Sequence, residues 1–368
     1  MIRRAIWLVL AFMAFAPVHA QVFPEYGAII KHGAKPGPFR FPTVPMPQAR
    51  QPAGKEPIGD IAFVHRGDIY TVTLDGKYFR RLTTDGRNAF PLWSPNGRYI
   101  AFSKAVLAKG EFSSAVLYII TTDGKYSRAL TKSQTGRAVY PAAWLPDGKG
   151  LVVGIHWLDS DVGPELRVVM LDGKPSAMYQ KWRKAGDKAG FLHEPASRDL
   201  YEFTPGQAAA FSPDGKNVML TASTEQFVDS PRLDLYRMGI DGSQIRRLSL
   251  MPRGWIKCLR WHPKSPKVLT AEEHHPEGAE DYAGIWLRSL DGKILKKLED
   301  APTASVSGID WSPAGDHIIF QRMDAGYRNL QYPGIFAEMS SHSSIWVMKA
   351  DGSGKYKLAD DACHPNWR

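Results

Sequence analysis

Residues 90–97 read Phe-Pro-Leu-Trp-Ser-Pro-Asn-Gly, and residues 119–124 read Ile-Ile-Thr-Thr-Asp-Gly. Asn-Gly and Asp-Gly tolerate the positive φ angles of the tight turns that join antiparallel strands. Pro95 has no N–H to donate to a sheet, so the strand that precedes it must already have ended. The segment therefore predicts an inner strand over 90–93, two middle strands over 99–103 and 116–121, and an outer strand over 126–131.

The same pattern recurs along most of the chain. The aromatic element with proline two positions later occurs as Trp93-Ser94-Pro95, Trp144-Leu145-Pro146, Phe211-Ser212-Pro213, Trp261-His262-Pro263 and Trp311-Ser312-Pro313. The Asp-Gly element of the repeat begins at Asp75, Asp123, Asp172, Asp241, Asp291 and Asp351. Successive aromatic residues are 51, 67, 50 and 50 positions apart. A strand-rich repeat of about this length predicts a β-propeller rather than a helical solenoid.

The two ends of the repeat array complement each other. The first unit, residues 60–83, contains two strands, an Asp-Gly turn and an outer strand, but no inner aromatic strand. Residues 363–368, Cys-His-Pro-Asn-Trp-Arg, match an inner strand because proline stands two positions before Trp, as Pro91 does before Trp93. We therefore expect the C-terminal strand to complete the first blade and to close the ring, since full closure removes exposed sheet edges. The predicted fold is all-β, a six-bladed propeller over residues 59–368.

The repeat resembles that of the TolB-like, WD40-like propellers. Their pattern of Trp-Ser-Pro-Asp-Gly, Ile-Tyr-Val-Met-Asp-x-Asp-Gly and Arg-Leu-Thr is matched here by residues 311–315 (Trp-Ser-Pro-Ala-Gly), 345–352 (Ile-Trp-Val-Met-Lys-Ala-Asp-Gly) and 81–83 (Arg-Leu-Thr). The resemblance implies a periplasmic propeller that serves as a platform for binding other proteins. It implies no particular activity, because the same blades occur in scaffolds, in accessory domains of proteases and in lyases.

The first twenty residues predict a secretory signal peptide. Arg3 and Arg4 precede an apolar run over 5–16, and Val18 and Ala20 supply the small residues that a signal peptidase requires. The apolar run is shorter than the roughly 20 residues that cross a bilayer as a helix. We therefore expect cleavage after residue 20, no stable membrane insertion, and a periplasmic or secreted protein.

Residues 21–58 predict an extended, proline-rich arm between the signal peptide and the propeller. The prolines of this segment are Pro24, Pro36, Pro38, Pro42, Pro45, Pro47, Pro52 and Pro57. TolB itself carries an α/β domain before its propeller, and this segment has little helix or strand pattern, so the resemblance does not extend to that domain. The sequence leaves open whether the arm packs along the propeller, engages a partner or remains a flexible leader.

The protein is basic, with a formal net charge of +10. A basic surface attracts nucleic acid, anionic lipid or acidic protein, but export argues against nucleic acid as a partner. Lysines and arginines such as Arg80 and Arg128 recur on the predicted outer strands, where charge commonly prevents sheets from associating edge to edge. Cys258 and Cys363 lie on inner strands two blades apart, which is too far for a disulfide, so we expect two free thiols.

The predicted blade places its long connections on one face. These connections, which join the second strand to the third or one blade to the next, include residues 104–114, 158–163, 180–207, 224–232, 272–283 and 323–343. We call this face the long-loop face and predict that it binds a protein or peptide partner, or an envelope component, because recognition concentrates in variable loops and in aromatic and basic side chains. The predicted partner-binding residues are Asn88, Tyr140, His156, Trp157, Trp182, Trp255, Lys257, Tyr327, Arg328 and His364.

The sequence contains no recognisable catalytic motif of the hydrolase-elbow, Walker or dinucleotide-binding type. The run Glu-Glu-His-His-Pro-Glu at residues 272–277 could ligate a metal ion. However, adjacent histidines on a strand point to opposite faces, and we interpret the run as a solvated acidic loop. His156 with Asp159 and Asp161 is interpreted in the same way, as a strand end with a polar loop.

The sequence therefore predicts a monomeric, non-catalytic propeller that requires no cofactor and no metal and binds another macromolecule. The alternative is a propeller enzyme, such as a polysaccharide lyase or hydrolase, with a metal ion held near His156, His274 or His275.

Overall fold

A computed structural model describes residues 59–157, 165–178, 180–181, 209–222, 234–249, 254–274, 282–301, 304–324 and 342–368. All of these residues belong to one compact unit, Ala49–Arg368. Within them, no helix is both long and apolar enough to cross a bilayer. The predicted signal peptide and the predicted proline-rich arm lie outside the described residues.

The first sheet combines the two ends of the described residues. Its strands are β1 (Ile61–His65), β2 (Asp68–Val72), β3 (Phe79–Arg81) and β23 (Ala362–Trp367), in the order β23-β1-β2-β3. The strand β23 pairs antiparallel with β1, so that Ile61 lies opposite Trp367 and His65 opposite Ala362. The predicted completion of the first blade by the C-terminal strand is confirmed.

The next two repeat units share one sheet. Its strands are β4 (Asn88–Trp93), β5 (Tyr99–Ala108), β6 (Glu111–Thr121), β7 (Ser127–Ala129), β8 (Arg137–Trp144), β9 (Gly150–Trp157) and β10 (Glu165–Met170). The strands β4 to β7 form one antiparallel meander and β8 to β10 another. A parallel pairing of Ala115 with Ala138 joins the two meanders into a seven-stranded sheet.

The remaining repeat units each form a separate four-stranded antiparallel sheet. Their strands are β11 (Ala209–Phe211), β12 (Asn217–Ala222), β13 (Asp234–Gly239), β14 (Arg246–Ser249), β15 (Gly254–Trp261), β16 (Lys267–His274), β17 (Tyr282–Ser289), β18 (Ile294–Ala301), β19 (Ala304–Trp311), β20 (His317–Asp324), β21 (Ser343–Lys349) and β22 (Tyr356–Asp360). The all-β propeller class is confirmed. Because pairing gives five sheets among the described residues, the count of six blades and full closure stay predictions.

Apolar side chains pack between consecutive sheets. In one cluster, Leu269 and Ile285 of one sheet lie with Ile309, Trp311 and Phe320 of the next. Such an arrangement buries both faces of each sheet, which is why the middle strands read as nearly continuous β-branched and aromatic runs. The predicted free thiols are confirmed, since Cys258 and Cys363 are both unpaired and buried.

The Asp-Gly turns also hold neighbouring sheets together. A leucine on, or directly after, each of four outer strands lies near the turn glycine of the following sheet. These leucine–glycine pairs are Leu82–Gly124, Leu248–Gly292, Leu298–Gly352 and Leu358–Gly76. The last pair joins the sheet of β19 to β22 to the first sheet, so the same contact recurs between the last and the first of the described sheets.

Several outer-strand side chains donate to backbone carbonyls of the next turn. Arg80 Nη2 donates to the Asp123 oxygen at 2.6 Å, Arg128 Nη2 to the Leu171 oxygen at 3.0 Å, and Lys296 Nζ to the Asp351 oxygen at 2.9 Å. The basic outer strands were expected only to discourage association between sheet edges. At these three positions the charged side chain also connects one repeat unit to the next.

The connection predicted over residues 104–114 is not an irregular loop. The strands β5 and β6 continue through it as a long hairpin, and Lys109 and Gly110 form its tip with φ angles of 53° and 87°. Phe112 packs back against the buried cluster that contains Phe90 and Tyr140. The hairpin tip therefore lies on the long-loop face, beside the beginning of the inner strands β4 and β8.

Candidate functional site

The inner strands share a backbone irregularity near their middle. Register shifts occur in β4 after Ala89, in β8 after Pro141, in β15 after Ile256 and in β19 after Ser307, and the pairing of β1 with β23 shifts after Cys363. A β-bulge of this kind re-aims the side chains around it and is common beside functional sites. Residues of β4, β8, β15 and β23 line one common cavity, so their bulges help to determine what lines it.

At three of these bulges, one residue has a backbone conformation in the left-handed region of φ. In each case this residue stands three positions before a tryptophan. The φ angle is 55° at Phe90, 53° at Gly308 and 53° at His364. For a bulky residue this conformation is a strained outlier, and a following proline disfavours it further. Both Phe90 and His364 precede proline. Strain of this kind persists only where the surrounding structure enforces it, and it concentrates at functional sites.

The strained residues meet at the channel. The ring centroids of Phe90 and His364 are 3.9 Å apart, and Tyr140 packs edge-on against Phe90 at 5.2 Å. A small, partly open cavity of about 10 Å³, room for about one water molecule, lies beside them. Its lining residues are Phe90, Pro91, Leu92, Pro141, Arg260, His364, Pro365 and Asn366. We call this space the channel cavity.

A charged pair forms one side of the channel cavity. Arg260 Nε lies 3.4 Å from Asp310 Oδ1, and Arg260 Nη1 donates to the Leu259 carbonyl at 3.0 Å. Burial raises the pKa of Asp310 above its usual value, and the Arg260 charge opposes that rise. The Asp310 carboxylate also accepts hydrogen bonds from Asn366 Nδ2 at 2.5 Å and from the backbone N–H groups of Trp311 and Trp367 at 2.9 Å.

His364 forms the opposite, uncharged side. Burial lowers its pKa to about 3, so the imidazole is neutral at physiological pH. Its Nδ1 lies 3.3 Å from the sulfur of Cys363, and its backbone N–H donates to Gln321 Oε1 at 3.0 Å. The Nε2 atom is buried and has no hydrogen-bond partner among the described residues. The channel cavity therefore combines apolar walls with one guanidinium, and the imidazole nitrogen beside it is buried without a partner among the described residues.

The structure corrects the predicted position of three partner-binding residues. Asn88, Tyr140 and Lys257 were expected at an accessible channel mouth, but they are only 1%, 1% and 3% exposed. Asn88 donates to Asp85 Oδ1 at 2.5 Å, and Lys257 donates to Ser305 Oγ at 2.9 Å. Their burial has a simple cause: the inner strands begin among packed neighbouring strands, where side chains find protein partners before they reach solvent.

The other predicted partner-binding residues are placed only in part. His156 and Trp157 are the last residues of β9, and Trp255 is the second residue of β15. Trp182, Tyr327 and Arg328 lie outside the described residues. Among the predicted residues whose side chains the structure describes, His364 lines the channel cavity.

The first two residues of the acidic run, Glu272 and Glu273, do not lie in a solvated loop. Glu272 and Glu273 belong to β16 and are 0% and 3% exposed. Arg288 donates to both carboxylate oxygens of Glu272, at 2.7 and 2.8 Å, and His274 Nε2 lies 3.0 Å from the same carboxylate. Glu273 pairs with the buried Lys257. The interpretation was wrong because both carboxylates acquire charged partners from the neighbouring strands β15 and β17 of the same sheet.

The pKa of Glu272 records this pairing. Burial alone would raise it, but the hydrogen bonds from His274 and Arg288 lower it to about 2. A carboxylate that is fully engaged by a bidentate guanidinium has little capacity to ligate a metal ion. Among the residues that the structure describes, no group of three or more His, Cys, Asp or Glu side chains is placed to hold one.

Sequence reasoning missed Arg260, Asp310 and Asn366, although one signal could have revealed them. Each stands immediately before the tryptophan that ends its inner strand, at Trp261, Trp311 and Trp367. The equivalent positions in the other repeat units are apolar: Leu92, Ala143 and Ala210. A repeat position that changes from apolar to polar in consecutive units indicates a polar arc on one side of the channel.

The comparisons with known proteins concern the fold. No family model matches the chain, and no curated protein matches it. A solved structure of a candidate TolB from Agrobacterium tumefaciens is 16% identical and has a TM-score of 0.51 over 81% of this chain and 87% of that one.

Two enzymes also appear among the similar structures. An oligogalacturonate lyase from Vibrio parahaemolyticus is 13% identical, with a TM-score of 0.42 over 82% of this chain and 73% of that one. A prolyl endopeptidase is 16% identical, with a TM-score of 0.44 over 83% of this chain and 42% of that one. Likenesses this distant say nothing about activity. The likeness to the candidate TolB agrees with the propeller fold and extends no further than the fold.

Proposed function

We propose that this protein is an exported, non-catalytic propeller that binds a segment of a partner protein on its long-loop face. The observation that carries the proposal is the channel cavity. Two residues, Phe90 and His364, hold strained backbones that bring their rings together at its wall. Strain costs about 1–3 kcal/mol at each such residue, and proteins retain it mainly where a site requires it.

The long hairpin of β5 and β6 supplies a second contact surface on this face. Leu107, near its tip, is 42% exposed. Exposed apolar side chains beside a concave site are typical of protein-binding surfaces. The predicted signal peptide and the fold shared with a candidate TolB support export to the periplasm, where a partner could be a protein of the envelope.

The proposal is tested by co-purification from an envelope fraction with the tagged protein as bait. Leu107→Asp places a charge on the hairpin beside the channel mouth, so we expect recovery of the partner to fall about tenfold, as for the loss of a central interface residue. Trp157→Ala/Tyr327→Ala, chosen from the sequence, should lower recovery as well.

The matched control is Leu295→Asp. Leu295 is 50% exposed and follows an Asp-Gly turn, on the opposite face of the propeller. We expect this variant to recover the partner as the wild type does. Equal recovery by the Leu107 and Leu295 variants would show that the long-loop face is not the binding surface.

A further inference from the structure

We propose that the Asp-Gly turns of four consecutive repeat units form a surface that binds an anionic lipid bilayer. Of the seven large apolar side chains that are exposed in the described residues, six flank these turns, and the seventh is Leu107. The six are 38–57% exposed and are Leu74, Tyr78, Tyr126, Ile294, Leu295 and Tyr356. We call them, together with Lys77, Lys125 and Lys293, the turn surface. It lies on the face opposite the long-loop face, so the inference does not depend on the proposed function.

The four turns are neighbours. They belong to the sheet of β15 to β18, the sheet of β19 to β22, the first sheet and the meander of β4 to β7. From each of these units to the next, a leucine lies near the turn glycine, in the pairs Leu298–Gly352, Leu358–Gly76 and Leu82–Gly124. Tyr356 Oη also donates to the Leu74 carbonyl at 3.3 Å, directly from one turn to the next. The exposed apolar side chains therefore form one continuous arc.

The turns of the other two repeat units lack this feature. Pro175 and Ser176 follow the lysine in residues 172–176, and Ile245 packs against a buried cluster after the turn in residues 241–245. Neither of these described segments carries an exposed large apolar side chain. The Asp-Gly turn itself therefore does not require one. A contiguous set of exposed apolar side chains on one side of the array indicates an interaction surface.

The charge along the arc is positive. The segments that run from each turn through its outer strand carry formal charges of +2, +1, +2 and +1, for residues 75–82, 123–130, 291–298 and 351–358. The side chains of Lys77, Lys125 and Lys293 are 72%, 84% and 81% exposed, and each pairs with the aspartate of its own turn. These lysines stand directly before Tyr78, Tyr126 and Ile294, so charged and apolar side chains share the same exposed positions.

Carboxylates outside these segments neutralise only part of the charge. The cations that pair with them are Arg81, Lys297, Lys355 and Lys357. Arg80, Arg128 and Lys296 donate instead to backbone carbonyls of the neighbouring unit, so they leave the arc with an excess of positive charge. The arc is therefore complementary to an anionic surface.

A lipid surface fits this combination of side chains. Tyrosine and lysine are typical of the interface between membrane and water, where the ring lies at the level of the headgroups and the amine reaches the phosphates. The predicted proline-rich arm carries a formal charge of +3 and the whole chain +10, so like charge disfavours the arm or a second copy of the protein as the occupant. The half-exposed rings reach only the headgroup region, which corresponds to peripheral binding rather than insertion.

Flotation with lipid vesicles tests the proposal on the purified mature protein. The probe is a phosphatidylcholine vesicle that contains phosphatidylglycerol, and the comparison is a vesicle of phosphatidylcholine alone. We expect the protein to float with the anionic vesicles, to stay in solution with the neutral ones, and to dissociate as salt is added, since salt screens exposed charges. Absence of binding to the anionic vesicles, or equal binding to both kinds, would overturn the proposal.

Two double variants separate the apolar and the charged contributions. Tyr78→Ser/Tyr126→Ser removes two exposed rings at constant charge and should weaken binding about tenfold, because binding scales with the apolar area buried in the interface. Lys125→Gln/Lys293→Gln removes two charges and should weaken it by about fivefold for each basic residue near an anionic surface. Unchanged melting temperatures would show that both variants are folded. Full binding by both variants would refute the turn surface.

The matched control is Lys109→Gln/Lys132→Gln, which also removes two charges. These exposed lysines lie on the long-loop face, at the tip of the hairpin of β5 and β6 and in the connection from β7 to β8. We expect this variant to bind the anionic vesicles nearly as the wild type does. An equal loss in the two lysine variants would show that net charge, and not the turn surface, governs binding.

Polyglutamate distinguishes a lipid from an acidic protein as the occupant. We expect it to displace the protein from anionic vesicles only weakly, because it offers no interface for the tyrosines. Binding to polyglutamate without binding to the vesicles would overturn the assignment to lipid. The co-purification described above tests the opposite face, so either experiment can fail without the other.

Discussion

Phe90 and His364 each place a bulky side chain on a left-handed backbone immediately before a proline. Gly308 has the same φ in the equivalent position of β19, and a Cβ there would lie 2.9 Å from Pro365 Cδ. The three positions share one backbone conformation but carry different side chains. Glycine occupies the position where the neighbouring strand is close. Residues with a ring, Phe90 and His364, occupy the positions that form the wall of the channel cavity. The side chain, not the backbone, then decides what the cavity can bind.

The neutral, buried state of His364 gives a pH dependence. Folded His364 takes up a proton only near pH 3, whereas an unfolded histidine does so near pH 6.5. Between these values the unfolded state binds more protons, so the free energy of unfolding falls as the pH drops below about 6.5. His364→Phe removes this contribution, and from pH 7 to 5 we expect the variant to lose about 2 kcal/mol less than the wild type.

Urea unfolding at several pH values measures this difference. A residual slope should remain in both proteins, because burial also lowers the pKa of His65 and His262. Parallel pH profiles for the variant and the wild type would contradict the assignment to His364.

At the scale of the element, the outer strand and the Asp-Gly turn act as a pair across neighbouring sheets. The leucine of one sheet and the turn glycine of the next are in contact at four places in the described residues. At Gly292, and less tightly at Gly352, the glycine therefore has two roles: it accepts a positive φ, and it lets the outer strand of the preceding sheet approach. At Gly76 and Gly124 an added Cβ would be in ordinary van der Waals contact with the leucine. Asp-Gly is favoured in a single hairpin for the first reason alone.

Two alanine substitutions separate these roles. At Gly173, where φ is 75°, an added Cβ would meet no atom within 4 Å, whereas a Cβ on Gly292, at φ 89°, would overlap the backbone oxygen of Leu248. Gly173→Ala should cost about 1–2 kcal/mol, the penalty for a left-handed L-residue. Gly292→Ala should cost a further 1–3 kcal/mol or so, because the neighbouring sheet must shift. Equal losses in chemical unfolding would show that the contact between the sheets contributes nothing.

At the scale of the whole molecule, β23 connects elements from both ends of the described residues. It pairs with β1, contributes Ala362 to the core of the first sheet and lies beside the cavity-lining strand β4. Asn366 links the neighbours on its two sides, since its Oδ1 accepts from the Trp93 N–H at 2.6 Å and its Nδ2 donates to Asp310. The C-terminal strand thus supports the fold and the proposed site together.

Deleting residues 362–368 should therefore abolish cooperative folding or lower the melting temperature by more than about 10 °C, since a whole buried strand worth several kcal/mol is lost. A synthetic peptide of the same seven residues, added in excess, should restore part of the loss by pairing with β1. Circular dichroism melting curves with and without the peptide provide the measurement. A truncated protein that melts as the full-length protein does would contradict the structural role of β23.

The sequence by itself determined the repeat, the strands, their tight turns and the pairing of the last strand with the first. These follow from local rules, since Asn-Gly, Asp-Gly and Pro-x-Trp each act within a few residues. The sequence also identified His364 as a residue of interest, but it misjudged the surroundings of Glu272 and Lys257.

Only the tertiary structure decided which polar groups are satisfied and which face the channel. The sequence predicts that Glu272 is a solvated carboxylate, whereas the structure shows that Arg288 binds it. Arg260 and His364 stand on different inner strands, and a bulge of one position decides whether a side chain faces the channel or the neighbouring sheet. Such contacts join residues far apart in sequence, and a pattern with a period of two residues along a strand contains no information about them.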